Sequence, residues 1–200
     1  MFILAGKFSF EPDQSQCWLA ASCDYESPLL WTMHLESQHS RVHFTDEAEA
    51  VEFAVHVQPP LGIRHWLELA GHSFVVPPEL LHGGFRFEQW EDLLALQLRF
   101  GQTRGTQIEV WAEGCGRVEA APDVFPDGQV EFQIQTWVNF NGVAVNVPLN
   151  ASDPLAYSKA RIKALLEKPD LDSPNLRRTC DESGELRAVE VLFEPNRSSS

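Results

Sequence analysis

The chain has 200 residues, 44% of them hydrophobic and 22% charged, and a formal net charge of −14 at neutral pH. That profile fits one globular domain. The charge argues against a nucleic-acid-binding surface, which needs Lys and Arg against phosphates, and against an anionic membrane surface; it permits steering toward a basic partner, beside the plain reading that acidity maintains solubility.

The first residues, "MFILAGKFSFEPD", form a short apolar run with no basic segment ahead of it, unlike a signal peptide. No run approaches the length of a transmembrane helix. The four cysteines, Cys17, Cys23, Cys115 and Cys180, match no CxxC or zinc spacing and are too few for a disulfide scaffold. A cytoplasmic protein with reduced thiols is expected. Cys115 lies in "EGCGR", which reads as a turn, making it the most accessible thiol expected. A catalytic role would need a lowered pKa and a base, and the sequence shows neither, so it is not read as a nucleophile.

In chain order, residues 1 to 45 read as short strands: "FILAGKFSF", "CWLAAS", "LLWTMHLES" and "SRVHF", separated by the turn signals "EPDQ" and "ESP". In "TDEAEAVEFAVHVQPP", Thr45 is a plausible N-cap and acidic residues fill the first turn. Ala50, Phe53, Ala54 and Val57 keep helical spacing up to Pro59, so a helix is predicted over 46–57. Val51, Phe53, Val55 and Val57 also alternate, which is the competing strand pattern. "GIRHWLELAGHSFVV" reads as one or two strands broken near Gly71.

"FEQWEDLLALQLRFG" carries the same ambiguity. Its acidic start, its arginines near the end and Gly101 in a C-cap position favour a helix over 88–100. "HFTDEAEAVEFAVHV" overlays "RFEQWEDLLALQLRF" without a gap, either as a duplicated strand-then-helix unit or through shared binary pattern alone.

A meander follows, with Asn141-Gly142 as a hairpin turn and Val130, Phe132, Ile134 and Thr136 facing away from Glu131, Gln133 and Gln135. A helix is predicted near 153–168, capped by Asp153 with Pro154 at its first position. The expected fold is α+β: antiparallel sheet with two or three helices packed on it. Residues 1–168 would form a single domain, and 169–200 an extension with an edge strand at 186–193 and a disordered end.

No phosphate loop, nucleophile elbow or dinucleotide fingerprint is present, so no cofactor is expected and a non-enzymatic role is favoured. All seven histidines fall between 34 and 82. A metal site built on His34 and His43 is the alternative, against a bland reading as scattered surface histidines. The candidate partner-binding residues are two acidic clusters, Asp46, Glu47 and Glu49, then Glu88, Glu91 and Asp92, together with Trp137 and Phe140 as aromatic anchors near the expected hairpin tip. Helix-dipole compensation and core packing are their plain explanations.

The run "FRFEQWEDLLALQLRF", "GTQIEVWAE", "GRVEAAP", "GQVEFQIQTWV" and "DPLAYSKARIKALLE", about 85 to 168, resembles the bacterial immunity proteins of the WapI-like group. The resemblance implies a protein that binds and neutralises a cognate toxin, many such toxins being nucleases with basic surfaces. It supplies no functional residue. The alternatives to this inhibitor are a small metal- or ligand-binding protein or enzyme using the histidine-rich first half, and a structural module of a secretion or multiprotein assembly.

Overall fold

The structure, a computed structural model of the full chain, describes residues 1–24, 27–43, 48–51, 53–59, 61–81, 83–87, 89–119, 123, 125–166, 171–172, 174–181 and 183–196. The chain enters as a hairpin, β1 (Phe2–Leu4) and β2 (Phe8–Phe10). Then come β3 (Trp18–Cys23) and β4 (Leu30–Glu36), and a separate two-stranded pair, β5 (Ser40–His43) with β6 (Ala48–Val51). β7 (Phe53–Val57) leads through a 3-10 turn at Trp66–Leu69 to β8 (Ser73–Val76). β9 (Gly83–Phe87), β10 (Gln89–Arg104), β11 (Gln107–Arg117) and β12 (Gln129–Val147) form a long meander. Helix α1 (Pro154–Leu165) and a last hairpin, β13 (Asn175–Cys180) and β14 (Leu186–Phe193), complete the described fold.

The pairings close on themselves. β12 pairs with β11, then β10, β9, β7, β4 and β3 follow in turn, and β3 pairs back onto β12. A closed ring of seven strands cannot alternate direction at every step, so at least one pair must be parallel. That pair is β3 with β12; every other step in the ring is antiparallel. Closure removes the exposed edges that an open sheet must protect. Alternation then sorts side chains, because successive residues on a strand face opposite ways. The buried Leu19, Met33, Val55, Leu98, Val110 and Ile134 fill the inside. Phe53 of β7 meets Phe132 of β12 at 5.5 Å across the enclosed space, and Phe2 meets Phe53 at 5.8 Å. At another point of the core Phe140 stacks on Trp66 at 5.1 Å and lies 6.0 Å from Trp31. Phe2, Phe10, Phe53, Phe100, Phe132 and Phe140 lie in this interior.

The α+β expectation is overturned: strand accounts for 58% of the chain, helix for 11%, and α1 is the one α-helix among the described residues. The stretch expected as a helix over 88–100 is β10. Leu96, Leu98 and Phe100 are buried while Ala95, Gln97 and Arg99 are exposed, the period-two pattern of a strand. Gly101 is no helix cap. The Trp111 ring lies where its Cβ would stand, and the Arg99 guanidinium covers the same ring at 4.4 Å. Within the stretch expected as a helix over 46–57, residues 46, 47 and 52 lie outside the described residues, and the rest forms β6 and β7. In their described residues the two overlaid stretches are both extended, the first lying on β5, β6 and β7, the second mostly one long strand.

Asn141-Gly142 is not a hairpin turn. β12 runs through it, with a register shift against β3 between Phe140 and Val143. Gly142 takes φ +98° beneath the Phe193 carbonyl oxygen, a place where only glycine fits. "EGCGR" is likewise continuous strand: Cys115 pairs with Ala95 and Glu131. The segment 186–193 is strand β14, but it is flanked by β12 and β13, so β13 is the outer strand. Helix α1 has Asp153 at its N-cap, accepting from the N–H groups of Leu155 and Ala156 at 3.1 and 3.0 Å, and buries Ile162 while Leu155 stays exposed.

Candidate functional site

Strand alternation places a row of functional side chains on the outward face of the ring. In β4, Met33 and Leu35 point inward, so His34 and Glu36 point outward; in β7, His56 lies between the inward Val55 and Val57. The register then lines these residues up across four strands: Trp18 opposite His34, His34 opposite His56, and His56 opposite Gly84. Gly84 leaves a gap in the row, and Trp90 of β10 fills it. A Cβ on Gly84 would stand 2.8 Å from Trp90 Cε3.

The four rings form one cluster. Trp18 and His34 have centroids 5.6 Å apart, His34 and His56 5.6 Å, His56 and Trp90 6.4 Å, and His34 and Trp90 6.5 Å. These are the separations of tilted and edge-to-face aromatic contact. A polar bridge runs beside the rings. Glu36 Oε2 lies 2.7 Å from His34 Nε2, and its Oε1 lies 3.3 Å from Arg86 Nη2. The Arg86 guanidinium in turn covers Trp90 at 5.2 Å, within cation–π range. His34 Nδ1 is buried with no hydrogen-bond partner. Burial, and secondly the neighbouring His34, push the His56 pKa below its ordinary value of 6.5, so His56 is neutral at neutral pH. Despite its contacts Trp90 is 48% exposed.

Two open grooves lie on the surface, and the first reaches the ring face at Trp18. One, of about 750 Å³, runs past Trp18, Ala20, Asn139, Gly142, Arg177 and Glu194. The other, of about 530 Å³, lies among Val75, Gln97, Glu113, Glu131 and Gln133, and Val75 is 73% exposed there.

The residues singled out from sequence are scattered across this architecture. Asp46, Glu47 and Glu88 lie outside the described residues. Glu49 is on β6 and His43 on β5, in the separate two-stranded pair. Glu91 accepts the Glu119 N–H at 2.8 Å, and Asp92 lies 3.6 Å from the Arg117 guanidinium. Both follow Trp90 directly in the chain. Trp137 is half-buried under the Arg104 guanidinium at 5.3 Å, and Phe140 is in the core. Of the two histidines considered for a metal, only His34 sits in the cluster, and its neighbour there is His56. Among the described residues no three His, Cys, Asp or Glu side chains are grouped to hold a metal ion.

Trp18, His56, Arg86 and Trp90 are functional candidates that sequence reasoning missed. The signal was the alternation in "LWTMHLE" and "FAVHV": read as strands, both put their histidines on the face opposite the aliphatic residues. The cysteines point away from nucleophilic chemistry: burial pushes the Cys17, Cys23 and Cys115 thiols up, so they stay protonated at neutral pH. Cys180, not Cys115, is the exposed one among the four. Among the described residues no helix is long and apolar enough to cross a membrane. Comparison of the chain with protein-family models, with curated proteins and with solved structures gave no match.

Proposed function

We propose that the protein acts by binding another protein through the Trp18–His34–His56–Trp90 face, as an immunity-type inhibitor that neutralises a basic bacterial toxin domain. The observation that carries this reading is Trp90: an indole 48% exposed, bedded on a glycine and held between an arginine and a histidine. Trp and Arg are the residues most enriched where binding energy concentrates. An indole of this kind has few rotatable bonds and is already fixed by its neighbours, so little conformational entropy is lost when a partner covers it. Covering the exposed half of the ring is worth about 2 kcal/mol of burial.

The charge supports a basic partner. A net charge of −14 raises the encounter rate with a positive surface, and Asp92, two residues after Trp90, adds an exposed carboxylate on the same strand. Inhibition then needs no chemistry from this chain: occupying the toxin's basic face excludes its anionic substrate. The test is calorimetric titration of the purified chain with the product of the adjoining reading frame, followed by the same titration with Trp90→Ala. Tight one-to-one binding that weakens about 30-fold in the variant is expected, since a hot-spot tryptophan is worth about 2 kcal/mol or more. Unchanged binding by the variant would place the interface elsewhere.

A further inference from the structure

The groove of about 750 Å³ beside Trp18 has its origin in β12. Along one side of that strand the neighbour changes. β11 pairs as far as Asn139, the Thr106 carbonyl accepts the Phe140 N–H at 2.8 Å, and β14 takes over at Val143. On the other side the register against β3 slips between Phe140 and Val143. Asn141 and Gly142 fall in this double break. Gly142, at φ +98° beneath the Phe193 carbonyl oxygen, lets the strand bend there. A bulge of this kind re-aims a side chain and is frequent beside binding sites. The side chain re-aimed here is Asn141, which lines the groove and is exposed.

The strand order β3, β12, β14, β13 sets Trp18 at one side of the groove and Arg177 at the other. Between them the floor is made of small residues, Ala20, Gly142 and Ala144, so a ligand can lie close to the backbone. Asn139 is already spent: its amide donates to the Gln14 carbonyl and accepts from Gln107, both at 2.9 Å. Among the described residues, in contrast, the Asn141 amide and the Glu194 carboxylate have no hydrogen-bond or ion-pair partner. Arg177 keeps only a 3.7 Å approach to Glu190 and is largely exposed.

These groups select a class of ligand. One guanidinium stands against the carboxylates of Glu190 and Glu194, so no excess of positive charge favours a phosphate or another polyanion. An indole offers a flat apolar face, and amide, carboxylate and guanidinium groups offer donors and acceptors in fixed planes. A neutral pyranose matches both, since its ring has an apolar C–H face and its adjacent hydroxyls each donate and accept. The groove volume is that of a small-molecule site. We propose that this groove binds a neutral saccharide, with Trp18 against the C–H face of one sugar ring and with Asn141 and Glu194 hydrogen-bonded to its hydroxyls. Arg177 closes the far side. The inference does not depend on the ring face being a docking surface; the two sites share only Trp18.

The experiment applies the full chain to an array of neutral oligosaccharides printed beside sialylated, sulfated and phosphorylated ones. A neutral disaccharide retained on the array is then titrated by calorimetry into wild type, Asn141→Ala and Trp18→Ala. Retention of neutral sugars is expected, with affinity about tenfold or more weaker in each variant. Asn141→Ala removes an exposed side chain and keeps Gly142, so its far-UV circular dichroism should match wild type and the test survives even if Trp18→Ala folds poorly. A reading without a variant is the Trp18 indole N–H resonance, which should shift as the disaccharide is added. No sugar retained, retention confined to the anionic sugars, or a neutral sugar bound equally well by Asn141→Ala would each overturn the proposal. A failure of the chain to bind a protein partner would leave it standing.

Discussion

An alanine at position 84 would put its Cβ 2.8 Å from Trp90 Cε3, closer than two carbon atoms can sit without one moving. The indole is the part able to move, since it is 48% exposed. Gly84→Ala is therefore predicted to shift tryptophan emission and weaken partner binding about tenfold, while costing about 1–3 kcal/mol of stability as an overpacking change. Chemical unfolding and calorimetry separate the two effects. His56 makes a second prediction. Burial and His34 hold its folded pKa below 6.5, so just below pH 6.5 the unfolded chain binds more protons than the folded chain. The stability contributed by neutral His56 is present in full above that pH and is lost as the pH falls through the window down to the folded pKa. Urea unfolding at a series of pH values should show this slope in wild type and a smaller one in His56→Phe, which keeps a ring in place. An equal slope in the variant would assign the pH dependence to other groups.

At the scale of the element, β10 decides how far the sequence could be read. Its 16 residues carry both periods. Acidic residues at the start, arginines near the end and Gly101 all satisfied the rules for helix ends, yet each has another cause in the fold. Asp92 meets Arg117, Arg99 covers Trp111, and Gly101 makes room for that same ring. Cap signals describe local preference, and here pairing with β8, β9 and β11 outweighs it. The strand assignment predicts that Leu96→Ala and Leu98→Ala each cost about 2–5 kcal/mol, while Gln97→Ala changes stability by less than about 0.5 kcal/mol. A helix would bury position 94 with 98 and spare 96, so comparable losses at 96 and 98 distinguish the two by denaturant titration.

Other elements were open to sequence reading because one local signal dominated. Strands β3 and β4 lie where alternation and turn residues put them, and α1 begins at Pro154 under an Asp153 cap, whereas "FILAGKFSF", expected as one strand, is the β1–β2 hairpin turning at Ala5 and Gly6. The candidate site was less legible for a physical reason. Its residues come from β3, β4, β7, β9 and β10, and only the register between strands brings Trp18, His34, His56 and Trp90 to one place. His34 was visible as a candidate; nothing local to residue 34 names residue 56 or residue 90 as its neighbour.

On the scale of the whole molecule, the seven-strand ring acts as a rigid mount. Its inside is filled by aliphatic side chains and by rings such as Phe53 and Phe132, and its outside holds the Trp90 face in a fixed arrangement. The −14 charge acts over longer distances and would speed the approach of the basic partner proposed above. Raising salt from about 0.05 to 0.5 M should slow association by tenfold or more with a much smaller change in dissociation, as stopped-flow binding would show. Dissociation should instead be set by the aromatic contacts. The central claim is that the face around Trp90 holds the partner, and the most direct test is calorimetric titration of the product of the adjoining reading frame with wild type and Trp90→Ala at neutral pH. The account predicts one-to-one binding that weakens about 30-fold in the variant with its fold intact. Equal affinity of the two proteins for that product would contradict it.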